Sequence, residues 1–273
     1  FGNSRWNEDR DELSDTVAAT AGGHLWKAGV TINHVGLGAS TLDGFGGIYI
    51  FGSLADFLSL RPDTFRQSFG TAATDYGVTN TGAFVQDHWS GAKRLTIDLG
   101  ARYDYEQLPA GFNEDTNNVS PRIGVAYSPS DRWVLRSGFG VFFDRYVLAD
   151  LNRAVEKNGV QGLEQTAQGG AAGLILEQSQ GAPLREPAAG IAPSIFKADP
   201  HREAPYSEQA SLGMERVLTT NLTLRADYLF VRGVKLSRTR NVNLLPPVVL
   251  DIQNAGQVGV SDPQPQQLGR DVF

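Results

Sequence analysis

The segment RLTIDLGARYDY, residues 94–105, alternates apolar and polar positions with almost no error. Leu95, Ile97, Leu99, Ala101, Tyr103 and Tyr105 fall on one side of an extended chain, and Thr96, Asp98, Gly100, Arg102 and Asp104 on the other, because successive strand side chains point to opposite faces. The same period of two predicts strands over 12–21, 24–35, 78–89, 120–128, 132–143, 206–217 and 222–231. In 24–35, Trp26, Ala28, Val30 and Ile32 oppose Lys27, Gly29, Thr31 and Asn33. In 132–143, Trp133, Leu135, Phe139, Val141 and Phe143 share a face; in 222–231, Leu222, Leu224, Ala226, Tyr228 and Phe230 do. The 12–21 stretch alternates least clearly. In 78–89 the neighbours Phe84 and Val85 break the pattern, which predicts a bulge or a shifted register there.

These eight strands form four pairs. The connections Gly22–Gly23, Ser90–Lys93, Pro129–Asp131 and Leu218–Asn221 are short, whereas 36–77, 108–119 and 144–205 are long. Strict alternation of short and long connections is expected of an up-and-down barrel in an outer membrane, where short turns face the periplasm and long loops face outward. Strands of ten to twelve residues exceed the roughly 5–6 usual in soluble sheets and approach the roughly 9–11 that cross a bilayer at a tilt. Trp26, Trp89 and Trp133 near the short turns, with Tyr103, Tyr105, Phe143 and Tyr206 toward the long loops, fit two interfacial girdles. The long loops carry helical signals over 53–60, with Ser53 as N-cap and Pro62 as stop, and over 146–159, with Gly159 as C-cap. Residues 168–190 read as a Gly-rich loop. The tail beyond Gly233 reads as polar and unstranded.

Composition narrows the choice. A net charge of −6, with no basic run beyond two residues, argues against a nucleic-acid partner. There is no Cys, which excludes disulfides, thiolate metal sites and Cys nucleophiles. No apolar stretch reaches the roughly 18 residues of a membrane helix, which leaves a membrane barrel untouched. The first residues, FGNSRWNEDRDE, lack a signal peptide's basic and apolar regions and read as an internal start. Periodicity alone leaves two other classes open: a soluble extracellular β-sandwich or adhesin, and a complete small eight-stranded barrel.

The wording of the strands adds a resemblance. FVQDHWSGAKRLTIDLGARYDYEQLP (84–109), NVSPRIGVAYSPSDRWVLRSGFGVFFDRY (118–146) and YSEQASLGMERVLTTNLTLRADYLFVRGVKLSRTRNVN (206–243) resemble successive hairpins of TonB-dependent outer-membrane receptor barrels, nearest to the Oar-like kind with an N-terminal carboxypeptidase-regulatory-like domain. The resemblance implies an all-β fold: an antiparallel up-and-down transmembrane β-barrel fragment of about eight strands, spanning 1–243, with 244–273 as an extracellular loop or tail. It implies residence in the outer membrane of a Gram-negative bacterium and a role in substrate uptake. The implied partners are membrane lipid, the remaining barrel strands and plug, and, through a missing N-terminal part, the TonB complex. The plug, TonB box and closing strand of such receptors find no match here, so the reading is an interior piece of a larger barrel.

Chemistry is sparse. His24, His34, His88 and His201 are scattered, and no hydrolase, zinc-protease, P-loop or complete dinucleotide motif occurs. Gly138 and Gly140 read as room for neighbouring side chains. Asn113, Glu114, Asp115, Asn117 and Asn118 are oxygen-rich but lack Ca²⁺-loop spacing, and Asn118-Val-Ser and Asn221-Leu-Thr match the glycosylation pattern by chance. No catalytic, cofactor-binding or metal-ligating residue is assigned, no cofactor is expected, and the substrate contacts are unknown from sequence.

Overall fold

A computed structural model describes residues 4–41, 44–242 and 270–272. In chain order the elements are β1 (Ser4–Ala21), β2 (His24–Thr41), β3 (Ile48–Ile50), α1 (Leu54–Leu58), β4 (Thr64–Gly70), β5 (Ala73–Ala92), β6 (Leu95–Gln107), β7 (Val119–Ser130), β8 (Trp133–Phe143), α2 (Leu148–Glu156), β9 (Gly162–Gln168), α3 (Gly170–Ser179), β10 (Pro193–Lys197), β11 (Tyr206–Thr219), β12 (Leu222–Val234), β13 (Arg240–Asn241) and β14 (Arg270–Val272). They make two sheets. The larger is an antiparallel meander in the order β1-β2-β5-β6-β7-β8-β11-β12, open at both edges among the described residues, where β1 and β12 each have one neighbour.

All four tight turns lie at one end of the meander and all long connections at the other. Gly22 and Gly23, with φ of 57° and 83°, make a two-residue hairpin, and a Cβ on Gly23 would come 2.7 Å from Gly91 Cα. The pairing of β5 corrects the expected bulge at Phe84: its register with β2 is unbroken from Ala73 to Trp89. Phe84 is accommodated because the facing residue is Gly29, where a Cβ would sit 2.6 Å from the Phe84 ring. Pairing instead shifts at the β5–β6 turn, between Trp89 and Ala92.

Three strands run five or more residues beyond their apolar alternation. β1 begins at Ser4 rather than 12, β2 runs on to Thr41 rather than 35, and β5 starts at Ala73 rather than 78. At ~3.4 Å per residue, the 18 residues of β2 reach roughly 60 Å, about twice the ~30 Å hydrocarbon layer of a bilayer.

The second sheet, β13-β14-β10-β9-β4-β3, is built from the long connections and the tail, where no strands were expected. β4 and β9 pair from Thr64↔Gln168 to Gly70↔Gly162. Phe65, Ala167, Ala172 and Ile175 form its buried core, joined by Tyr49, Leu184 and Ile191. Two buried glutamines act as surrogate strands. Gln67 exchanges hydrogen bonds with the Leu184 backbone (2.7 and 2.9 Å), and Gln165 with the Ala188 backbone (2.8 and 2.7 Å). They hold the 184–191 segment against the sheet.

The expected helix at 53–60 forms as α1, with the Ser53 hydroxyl accepting from Asp56 N at 3.1 Å. The helix expected over 146–159 forms as α2 and ends at a Lys157 cap, two residues before Gly159. Residues 170–179, expected to be loop, form α3: Ala, Leu, Ile, Glu and Gln favour a helix, and Ala172 and Ile175 bury against the loop sheet. In the tail, expected to be unstranded, β13 and β14 add two short strands, β14 running parallel to β10. The proposed division at 243/244 falls outside the described residues.

Candidate functional site: a two-faced wall and its outer rim

Register sorts every side chain of the meander to one of two faces. On the first face Leu99, Ile123, Phe139, Ala210 and Phe230 are directly opposite one another across five strands. Leu99 is 50% exposed and Leu212, Tyr228 and Val85 more so, giving a continuous apolar surface too broad for water. Trp26, Trp89, Trp133, Tyr103, Tyr105, Phe143 and Tyr206 share this face by the same register, the tryptophans toward the tight turns and the others toward the long connections. His24, stacked on Trp26 with ring centroids 5.1 Å apart, places Nδ1 2.6 Å from Asp87. Tyr103 donates to Thr116 O at 3.0 Å, and Tyr105 to the Glu114 carboxylate.

The second face is charged and small. Arg102 grips both oxygens of Asp104 at 2.9 Å, His88 lies 2.7 Å from Asp98, Arg225 lies 2.7 Å from Asp227, and Arg136 reaches Glu215 at 3.5 Å. Glycines make these arrangements possible. A Cβ on Gly82 would sit 2.0 Å from the Arg102 guanidinium, and one on Gly140 would sit 2.8 Å from the Phe142 ring. Gly140 thus provides the room expected from sequence, whereas a Cβ on Gly138 would meet Ser211 Oγ at 3.3 Å, a tight contact and not a clash.

Past Asn33 the polarity of β2 inverts. Val35, Leu37 and Ala39, on the charged face's side, become buried, while His34, Gly36 and Gly38 take the other side. β5 does the same with Tyr76 and Val78. These residues pack on Leu108, Tyr146 and the fully buried Leu151 of α2. The inversion marks the upper limit of the apolar solvent: below it grease lies outside and water inside, and above it water lies outside and folded loops inside. In β1 the extension is exposed throughout, which removes the alternation that would reveal it. Above the limit, burial and the nearby Glu156 carboxylate raise the Tyr76 phenol to about 12, and burial raises that of Tyr146.

At the rim, loop residues close a cavity of about 200 Å³ over the charged face. Arg102, Arg122, Arg145 and Arg202 line it with Asp104, Glu106, Asn118 and Ser120. Glu106 accepts from Tyr146 N with both oxygens, at 3.2 and 3.0 Å. Arg122 lies 4.6 Å from the Phe142 ring centroid, and Arg202 4.0 Å from that of Tyr146. Arg102 and Asp104 were legible as polar-face residues, and the same alternation carries on to Glu106. Arg145 and Arg202 were not, because nothing in a loop sequence fixes which strand end it folds over.

The histidines do not converge. His24 and His34 are on the apolar side, the latter 2.9 Å from Thr79 Oγ1; His88 faces the charged side, and His201 lies in a loop. Among the described residues, no group of three His, Asp or Glu could hold a metal ion. The carboxylates of this segment serve the fold: Asp115 accepts from Ala204 N at 2.7 Å and Asn117 N at 3.3 Å, and Glu114 from Tyr105 and from Leu108 N.

A sheet apolar without, charged within, and tightly turned at one end is the wall of a membrane-spanning β-barrel. The chain belongs to the outer membrane beta barrel domain family, whose model matches residues 1–111 and 108–270, and it resides in the outer membrane of a Gram-negative bacterium. It is 30% identical over 146 residues to the TonB-dependent transporter Oar of Myxococcus xanthus, a match covering 51% of this chain and 13% of that protein. The ferric enterobactin receptor PfeA of Pseudomonas aeruginosa superposes with a TM-score of 0.52 at 11% identity, over 87% of this chain and 29% of the receptor. The Escherichia coli outer membrane transporter YddB gives 0.49 at 14% identity, over 83% and 26%. The chain therefore spans a minor part of these proteins. The relatives are transporters and receptors.

Proposed function

We propose that this chain is one sector of the barrel of a TonB-dependent receptor that takes up a substrate across the outer membrane. The observation that carries the reading is the combination of a lipid-facing apolar wall, a charged lumenal wall and a rim capped by folded outer loops. The likeness to Oar supports the same reading. Among the described residues the eight-stranded slice has free edges at β1 and β12, and unpaired backbone groups are not tolerated in lipid, so on this reading further strands complete the wall. The plug and the TonB complex are the partners this reading requires, and the loop sheet with α2 forms part of the outer vestibule where cargo first binds.

The cargo need not be known for a test. Cells lacking the intact protein and cells lacking TonB are grown in the same complex medium, and the solutes left unconsumed are compared. Every solute spared by the first strain should also be spared by the second. A solute that only the first strain fails to consume would contradict TonB-dependent uptake.

A further inference from the structure

The chain is acidic as a whole, at −6, yet the tight-turn end of its meander is basic. Residues 90–94, 129–132 and 216–221 carry Lys93, Arg94, Arg132 and Arg216 against a single carboxylate, Asp131. These three turns are stitched into one rim. Ser128 N donates to Arg94 O at 2.8 Å and Val217 N to Arg132 O at 2.9 Å, while the Arg94 guanidinium reaches Pro129 O at 3.0 Å and Asp131 at 2.8 Å. Arg94 thus takes up the one acid of the rim. Lys93, Arg132 and Arg216 are exposed, and none of their side chains forms an ion pair or hydrogen bond among the described residues. Carboxylates farther up the strands are engaged by other groups: Glu215 by Arg136, Asp227 by Arg225 and Asp98 by His88 on the charged face, and Asp87 by His24 on β5.

Register fixes the side on which one of the free cations lies. Arg216 is opposite Trp133, the first residue of β8, and opposite Leu224 of β12, which puts it on the apolar face at the level of the tryptophan girdle. The next pair on that face is Met214 with Leu135. The Arg216 guanidinium lies 4.8 Å from the centroid of the Trp133 ring, a contact that orients it without neutralising it. An unpaired guanidinium at the margin of a lipid-facing apolar band is at the depth of the lipid headgroups.

We infer that Arg216, with the neighbouring rim cations Arg132 and Lys93, is a binding site for the phosphate of an anionic phospholipid in the periplasmic leaflet. The phosphodiester takes the Arg216 fork in bidentate contact. Arg132 and Lys93 add an attraction that favours a headgroup of net negative charge over a zwitterionic one, whose own ammonium these cations repel. The inference rests on the meander being a barrel wall in lipid, and it adds a headgroup chemistry and the residues that read it.

The test uses a bimane fluorophore on L135C of the intact receptor, in phosphatidylcholine vesicles doped with dibrominated phosphatidylglycerol or dibrominated phosphatidylcholine. Phosphatidylglycerol should quench at a roughly tenfold lower mole fraction, and the difference should shrink at about 1 M salt. R216Q should remove most of the preference, and R216Q combined with R132Q all of it. R225Q, which alters an arginine held by Asp227 on the charged face, should leave the preference intact. The heat-modifiable gel shift of each variant reports barrel folding independently. Equal quenching by the two lipids in the folded receptor overturns the site and leaves the basic rim to an acidic protein partner. A preference that survives R216Q with R132Q overturns it as well. Absence of quenching by either lipid contradicts the barrel wall itself, and the site falls with it.

Discussion

The backbone N–H of Tyr146 donates to both carboxylate oxygens of Glu106, at 3.2 and 3.0 Å, joining the end of β6 to the start of the long 144–205 connection. A chain segment of this length would be free to swing if it were attached only at its ends. Glu106 instead fastens it at the barrel rim. Removing the acceptor with E106A leaves the N–H unpaired in a half-buried site, at a cost of about 1.5–3 kcal/mol for a hydrogen bond to a charged group. Limited proteolysis should then cut within 144–205 several-fold faster, while the heat-modifiable mobility of the barrel stays unchanged.

Leu151 is the anchor of the α2 contact. It is fully buried among Val35, Leu37, Tyr76 and Val78. L151A should cost ~2–5 kcal/mol, the usual range for such a truncation, and the loss should be local. Hydrogen exchange should accelerate at 34–40 and 74–80 and remain slow in β6 to β8.

Gln165 presents a different failure. Its amide satisfies Ala188 N and O and also reaches Ile191 O. Q165L keeps the volume but strands three backbone groups, each worth ~1–3 kcal/mol when buried without a partner. The loop sheet should lose its protected amides in 184–191, whereas Q165E, which retains an acceptor for Ala188 N, should lose fewer.

The alkaline limb of loop stability follows from Tyr76 and Tyr146. Both phenols titrate above their ordinary value of 10.0, Tyr76 at about 12 and mainly because it is buried. The undocked chain loses these protons near 10 while the docked one keeps them. Docking is therefore independent of pH below about 10 on this account and weakens as pH rises from 10 toward 12. Protease susceptibility of 144–205 measured from pH 8 to 11.5 should rise only in the upper part of that range, and Y76F should flatten the rise.

What the sequence reveals here depends on how far apart the partners are. The meander is written locally: Leu95, Ile97, Leu99 and Ala101 alternate within one strand, and the next strand begins across a tight turn. The loop sheet is not. β4 meets β9 with Thr64 opposite Gln168, and strands of three to seven residues between glycines carry too little periodicity to announce so distant a pairing. The extensions of β2 and β5 were hidden by inversion, since Val35 and Leu37 are apolar on the side where Lys27 and Thr31 are polar. The rim cavity combines both cases, with Arg122 on a legible strand and Arg202 on a loop whose position only tertiary structure supplies.

The central claim is that one face of the meander meets lipid, the other a wet lumen, and that the two exchange character near Asn33. The described sequence contains no Cys, so single-cysteine spin labels can be placed in the intact protein in liposomes without background. Labels at Ala28, Val30, Leu99 and Ile123 should be relaxed by oxygen, and labels at Lys27, Thr31, Asp98 and Arg122 by a water-soluble nickel chelate. Beyond the exchange point, Gly36 should turn to the chelate and Leu37 should be reached by neither. Equal access of the chelate to Val30 and Thr31, or to Leu99 and Asp98, would contradict the account.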